Sequence, residues 1–386
     1  MNKLLFFTGF IFLFFMLIFP SVFQEIKYTS LFFLTILAIF EWILKKRKIR
    51  KGFFISLVIW YLYFSFSLLI GVSNGFKVDF ELVNIYFITP ILAVILSSLI
   101  SNNTRFIYLN RILIFITFCI CIFDFIYLLN KVNILSLPFE INSEIFGSSV
   151  LTDEKVEFRI SNQSSLMFLL PYVITIFFSK GYNRKHEQKF ILLTIILGVI
   201  LSLFSGRRAL EVVVAISFLL SYLLNIKIKG FGLKIYKSKL RGSIKNILFS
   251  LVLIIIFLIN FFPTVKAFDN FTNSIYITFV KAFDPNDESL NIRAEQSIKL
   301  YDGWMESPLY GHGLNAHVKS YIRSVDTPWS YEHVYQALLF QTGIIGFGIV
   351  FIYIILIIFN LYKKTIKLNS IENKYILGIL VGFVCF

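Results

Sequence analysis

Charge is scarce in this chain. Of 386 residues only 15% are charged, whereas 57% are hydrophobic. A soluble domain does not cover itself with so few charges, so the composition describes a polytopic membrane protein. Cysteine is nearly absent as well. Cys119, Cys121 and Cys385 lie in apolar runs, and the first two, being two apart, point to different helix faces. They supply neither a disulfide framework nor a metal site. Nucleotide signatures are missing: there is no Walker motif, no Rossmann glycine pattern and no Asp-x-Asp to hold a metal and a nucleotide diphosphate. No internal repeat of the kind that transporters show stands out. Residues 1–23 begin like a signal peptide, with Lys3 ahead of an apolar run. The run 4–22 is too long for an h-region and no small-x-small cleavage site follows, so it reads as an uncleaved first span.

What is present is a series of apolar stretches. Eleven approach the length of a span: 4–23, 27–44, 52–71, 83–100, 108–129, 164–180, 190–204, 209–226, 246–262, 334–361 and 375–386. An untilted helix needs about 20 residues to cross. Several stretches are shorter and draw on flanking Ser, Thr and Tyr. The last one stops at Phe386 inside an apolar run, which leaves two readings, a cut-short span or a segment that only dips into the bilayer. The expected fold is therefore all-α, a polytopic helix bundle of about 11 transmembrane segments with a large, partly helical external loop. It divides into membrane helices over 1–129, an external loop over 130–163, central membrane helices over 164–262, the large external loop over 263–333 and C-terminal membrane helices over 334–386.

Orientation follows from the positive-inside rule. With the N-terminus cytoplasmic, the inner positions are Lys3, 45–51, 105–111, 180–189, 227–245 and 363–374, and they hold 24 of the 37 lysines and arginines. Among acids only Glu187 and Glu372 face inward. The net charge of +15 is thus mostly topological. Anionic lipid headgroups account for it, and no nucleic acid partner is needed. Segments 130–163 and 263–333 then lie outside the cytoplasmic membrane, where neither ATP nor a nucleotide sugar is normally available. A transferase on that face needs a donor that arrives activated and membrane-bound, such as a polyprenyl-pyrophosphate glycan.

The polar exception to the oily sequence is 289–343. It holds His312, His317 and His333, three of the four histidines, with Arg293 and a Gly311-His312-Gly313 turn. Three stretches in the second half go together: Ser205-Gly206-Arg207-Arg208 at a helix start, Ser307-Pro308-x-x-Gly311-x-Gly313 behind Arg293, and His333 opening a helix with Gly343-x-x-Gly346 ten residues on. In order, spacing and topology the set resembles the O-antigen ligase and O-antigen polymerase superfamily over about 160–360. Where members of that family carry Asn after the helix-opening His, this chain has Val334. The polymerases' Arg-x10-Gly motif is not met either: the eleventh residue after Arg159 is Leu170, and after Arg293 it is Trp304. The choice between polymerase and ligase stays open on these residues.

The resemblance implies a bacterial, multi-pass inner-membrane glycosyltransferase of polysaccharide biosynthesis. Its donor is a polyprenyl-diphosphate oligosaccharide and its acceptor a second glycan, with a chain-length regulator protein as a further partner. A polymerase would extend an O-antigen- or capsule-type chain. A ligase would deliver the glycan to lipid A-core or another final acceptor. A flippase or exporter of lipid-linked sugars is the third reading, but transport sites lie near the midplane, and here the polar residues gather at the outer rim. Neither metal nor cofactor is required.

The resemblance assigns His333 as the general base, or the group that orients the acceptor, and Arg207, Arg208, Arg293 and Arg159 as binding residues for the donor pyrophosphate. Physical chemistry gives each a plain alternative. An imidazole at a helix start beside an external cavity suits proton abstraction from a sugar hydroxyl, or it anchors the helix end. Arg207 and Arg208 sit at the outer end of a span, where cations are costly unless they serve a ligand, or one pairs with Glu211. Arg293 falls on an amphipathic helix over 289–304, with Ile292, Ile298, Leu300 and Trp304 expected on the membrane surface. His312, His317 and Asp302 lack a metal-site spacing, and the glycines permit a tight turn. Glu41 pairs with Lys45 four residues on. Asp124, in the outer half of the fifth span, is expected to meet an outer arginine or to serve the chemistry. Tyr301, Trp304, Tyr310, Trp329 and Tyr331 either stack on sugars or mark the bilayer interface.

Overall fold

The computed structural model describes residues 2–45, 51–100, 103–131, 135, 147–152, 155–179, 185–204, 208–225, 288–322, 327–367 and 372–385. The expected span 246–262 lies outside them. The helices in chain order are α1 (Asn2–Ile18), α2 (Gln24–Leu44), α3 (Lys51–Ser73), α4 (Phe80–Val83), α5 (Thr89–Ser97), α6 (Asn103–Lys131), α7 (Gln163–Phe178), α8 (Lys185–Phe204), α9 (Arg208–Asn225), α10 (Glu288–Glu306), α11 (Val334–Lys367) and α12 (Glu372–Cys385). A π-helical turn, Asn84–Ile88, joins α4 to α5.

Five helices among the described residues are long and apolar enough to cross a membrane: Gln24–Leu44, Lys51–Ser73, Phe80–Ile100, Asn103–Asn130 and Val334–Thr365. Shorter apolar helices occupy Leu4–Ile18, Gln163–Phe178, Ala209–Leu224 and Lys374–Cys385. With the four shorter helices the described residues hold nine, so the expected count of about 11 is not reached among them. The 16 residues of α7 rise about 24 Å, against a hydrocarbon core of ~30 Å. One segment departs from an all-helical chain. Strands β1 (Gly147–Thr152) and β2 (Lys155–Ile160) pair antiparallel, with Gly147 opposite Ile160 and Thr152 opposite Lys155. The alternation Val156-Glu157-Phe158-Arg159-Ile160 has the two-residue period of a strand.

The chain divides into two compact units. The first comprises Met1–Leu34, Ile100–Ala282 and Ile358–Phe386. Its centre is α7, with 11 of its 16 residues buried. Gly378 and Gly382 on α12 let the two backbones approach: a Cβ at Gly378 would stand 2.8 Å from the Tyr172 ring, and one at Gly382 3.0 Å from Phe168 O. Small residues spaced by four are a common way to close a helix pair where lipid gives no hydrophobic drive. Polar bonds add to it. Thr175 Oγ1 lies 2.7 Å from Ser221 Oγ on α9, and Tyr172 OH donates to Asn110 Oδ1 on α6 at 2.7 Å.

Two groups of helix ends meet in this unit. Arg111 at the start of α6 lies 3.8 Å from Glu187 at the start of α8, and Lys374 at the start of α12 belongs to the same electrostatic group. All three were placed on the cytoplasmic side. At the other end, Asn162 ahead of α7 reaches both Asp124 on α6 and the carbonyl of Ile18 on α1. Those three ends were placed outside.

The second unit comprises Thr35–Leu99 and Phe283–Ile357. Here α3 and α11 run antiparallel, stitched by Tyr63 OH to Thr342 O and Tyr353 OH to Ser56 O. Pro90 lacks the N–H that Tyr86 O would accept in a regular helix. The carbonyls of the π turn find donors on α3 instead: Trp60 Nε1 to Tyr86 O and Tyr61 OH to Phe87 O, both at 2.9 Å.

The long helix α11 is interrupted at Gly343, which has φ 62° and ψ −174°. In an unbroken helix Phe340 O and Gln341 O would accept Ile344 N and Ile345 N. Here they accept His312 N at 3.0 Å and Gly313 N at 2.8 Å. The displaced donors turn to the same loop: Ile344 N reaches Pro308 O at 2.9 Å and Ile345 N reaches Leu309 O at 3.3 Å. A broken span must re-satisfy its backbone from protein, and the Ser-Pro-x-x-Gly-x-Gly segment does so. Asn74 Nδ2 to His312 O (3.0 Å) and Leu314 N to Ser67 O (3.1 Å) fasten the loop to the end of α3.

Candidate functional site

The site is built on the face of α10 that meets the start of α11. Arg293, Gln296, Ser297, Leu300 and Trp304 follow the helical period and lie on that face. This corrects the expected membrane-facing set. Leu300 is 1% exposed and packs with Ala316, Tyr331, Ala337 and Phe340, and Trp304 packs beside that cluster. Only Ile292 and Ile298 are exposed. Ile298 and Leu300 are two residues apart, about 200° around a helix of 3.6 residues per turn, so no single apolar face holds both. Gly303 lets α10 approach α11, since a Cβ there would come 2.7 Å from the Phe340 ring.

His333 immediately precedes the first residue of α11. The orphan N–H groups at that end are met from α10: Gln296 Oε1 accepts Glu332 N at 3.1 Å and His333 N at 3.2 Å. One turn on, Gln336 Nε2 donates to Ser297 Oγ at 2.8 Å. The ring of His333 is fixed too. Its Nε2 lies 3.1 Å from the carbonyl oxygen of Arg293. A carbonyl only accepts, so Nε2 carries the proton and Nδ1 of the neutral ring is the nitrogen with the free lone pair. The half-exposed ring therefore presents a basic atom of defined identity.

Arg293 contributes its side chain as well as its carbonyl. Its Nε donates to Glu332 Oε2 at 2.6 Å. Both side chains are partly exposed, so the pair adds little stability. It does fix the guanidinium. With Nε occupied, the terminal amino groups remain as an open two-nitrogen fork, the geometry that matches a phosphate edge. The carboxylate of Glu332, beside His333 in sequence, is thereby engaged by a cation.

The remaining expected residues fall elsewhere. Arg159 lies on β2 opposite Ser148, Arg207 lies outside the described residues, and Arg208 is the first residue of α9. All three belong to the first unit, and their side chains are not among those described. His312 and His317 are absorbed by packing. His312 Nε2 bonds Gly303 O at 2.7 Å and its ring lies 4.7 Å from that of Phe340. The His317 ring lies 5.1 Å from that of Phe76. The aromatic set also separates. Tyr301 and Tyr310 are exposed. Tyr331 is buried, its oxygen accepting Val318 N at 2.8 Å, and burial pushes its phenol above the usual range. Trp329 Nε1 donates to Asp79 Oδ2 at 2.7 Å, while Asp79 Oδ1 caps α4 through Glu81 N.

Gln296, Ser297, Gln336 and Asp79 were not singled out from the sequence. Gln296 had a readable signal: it lies three residues after Arg293, on the same face of a helix that was expected. Asp79 had none, because its partner is 250 residues away. Comparison of the chain with protein-family models, curated proteins and solved structures finds no match. The class defined by the fold is a helical protein with several helices fit to cross a membrane.

Proposed function

We propose that this protein is an integral-membrane glycosyltransferase of the O-antigen- or capsule-polymerase type. On the outer face of the cytoplasmic membrane it transfers a glycan from a polyprenyl diphosphate to a hydroxyl of an acceptor glycan. The observation that carries the reading is the junction of Arg293 and His333. Each was drawn from a separate motif, and the carbonyl of one fixes the ring of the other at a helix mouth.

In the proposed reaction His333 Nδ1 takes the proton of the acceptor hydroxyl as its oxygen attacks the anomeric carbon. The bond from that carbon to the diphosphate oxygen breaks, and the polyprenyl diphosphate leaves with the electron pair. In-line attack inverts the anomeric carbon. The Arg293 fork stabilises the charge that grows on the leaving group. The test is deletion of the gene in its parent strain. Loss of long glycan chains, with single repeats retained on the final acceptor, is the expected result. Unchanged chain length and linkage would reject it.

Two further results are expected. A cysteine placed in 263–333 reacts with an impermeant thiol reagent in outer-permeabilised cells, and one in 227–245 does not. Protection of the first would overturn the orientation and the lipid-donor argument with it. Lysine offers a point charge in place of a fork. Arg293→Lys is therefore expected to lose about 1.5–3 kcal/mol of a charge-assisted contact, or roughly ten- to hundredfold in rate. Wild-type rates in Arg293→Lys would remove arginine stabilisation of the leaving group.

A further inference from the structure

Asp124 belongs to the first unit and the Arg293–His333 junction to the second. Asp124 is 0% exposed, in the outer half of α6. Among the described residues no arginine pairs with it. Asp124 Oδ1 accepts Asn162 Nδ2 at 3.0 Å, and the same amide nitrogen lies 3.4 Å from Ile18 O. Donation to two oxygens identifies that atom as the nitrogen, so the other amide atom is Oδ1. Asn162 is itself only 2% exposed. Asp124 Oδ2 and Asn162 Oδ1 are both buried and both without a partner among the described residues.

Among the described residues few groups face the pair. From α1 comes the Ile18 carbonyl, and from the turn into α7 come Asn162 and its neighbour Gln163. On α6 itself, Cys121 is one turn back. None of them is a cation. A carboxylate stripped of both water and counter-charge is strongly unfavourable, and within a membrane span an acid is partnered or functional. Two acceptor oxygens, on side chains already joined by one bond, are satisfied together by a single proton. A hard cation takes about six oxygens, far more than this pair offers.

We propose that Asp124 and Asn162 form a proton-binding site. Asp124 is a carboxylic acid whose Oδ2–H donates to Asn162 Oδ1, while Asn162 Nδ2 donates to Asp124 Oδ1. The closed acid–amide ring links α6 to the start of α7, and the remaining bond to Ile18 O brings in the end of α1. Three outer helix ends are thereby held by one bound proton.

The test uses the full chain in nanodiscs. Infrared spectra, with and without carbon-13 aspartate, are expected to show a protonated-carboxyl carbonyl band that is missing from Asp124→Asn. Asparagine at 124 offers the same acceptor and the same donor, so its melting temperature matches the wild type. Asp124→Leu leaves both polar atoms of Asn162 unpartnered and melts lower. A wild type with no such band overturns the proposal, as does an Asp124→Asn chain that fails to fold. A melting temperature that rises with sodium, and does so only when Asp124 is present, also overturns it and makes the site a cation site.

Discussion

Replacing His333 with alanine is expected to leave the protein folded in the membrane and to lower the proposed glycan transfer by roughly 10²–10⁴-fold, the usual worth of a positioned general base. Folding is spared for a geometric reason. The structural bond at this position runs from the backbone N–H of His333 to Gln296 Oε1, and alanine keeps it. The imidazole contributes one bond, Nε2 to Arg293 O, at a half-exposed site, so its loss falls on chemistry. His317→Ala makes the contrast. That ring packs against Phe76 and faces no proposed substrate, so transfer persists. Long glycan chains of normal length in His333→Ala cells would remove the residue from the mechanism.

The second large effect is on folding. Gly343→Val is expected to abolish the folded protein, and Gly343→Ala to lower its melting temperature sharply. Gly343 has φ 62° inside α11, a region where a side chain carries a strain of about 1–3 kcal/mol. Overlap adds to this, since a Cβ would run into Leu309 O and stand 2.6 Å from Gly311 N. The clash sits in the backbone bonds between 308–313 and 340–345, so relief on one side breaks pairing on the other. Against a total stability of about 5–15 kcal/mol, little margin remains. Gly311 and Gly313 meet the same limits, with φ of 70° and 95° and backbone atoms of Gln341 and Gly71 in the way. Gly348 is the control, because a Cβ there meets nothing within 4 Å. Thermal melts and size-exclusion profiles in detergent check the series. A Gly343→Ala variant that melts with the wild type would show that the loop does not depend on that break.

These glycines show how far the sequence could be read. The Gly311-His312-Gly313 turn and the Gly343-x-x-Gly346 pair are plain in the chain, and a tight turn followed from them. That the two interleave, carbonyl for carbonyl, did not follow. A helix break at Gly343 has no local signature in an apolar run, where long-range backbone pairing decides the outcome. The helices themselves were legible from hydrophobic run length, and the alternation of charge placed Arg111, Glu187 and Lys374 at a common end, as found. The hairpin at 147–160 was missed although Val156–Ile160 alternates. The membrane-facing set on α10 was misjudged because apolar residues were weighed without their helical phase. The face that packs is mixed, with Gln296 and Ser297 beside Leu300. Glu41 and Lys45 needed only a spacing of four, and they pair. Asp124 could be marked as costly from its position in a span, but its partner Asn162 lies 38 residues on, and no local rule connects them.

The most direct measurement is transfer by the purified protein in nanodiscs, using the lipid-linked glycan extracted from the parent strain, with chelator present. Release of polyprenyl diphosphate together with growth of the acceptor glycan by whole repeats is the predicted result, lost in His333→Ala and reduced in Arg293→Lys. Intact donor after prolonged incubation with folded protein, or turnover equal in His333→Ala and wild type, would contradict the assignment of glycan transfer to the Arg293–His333 junction.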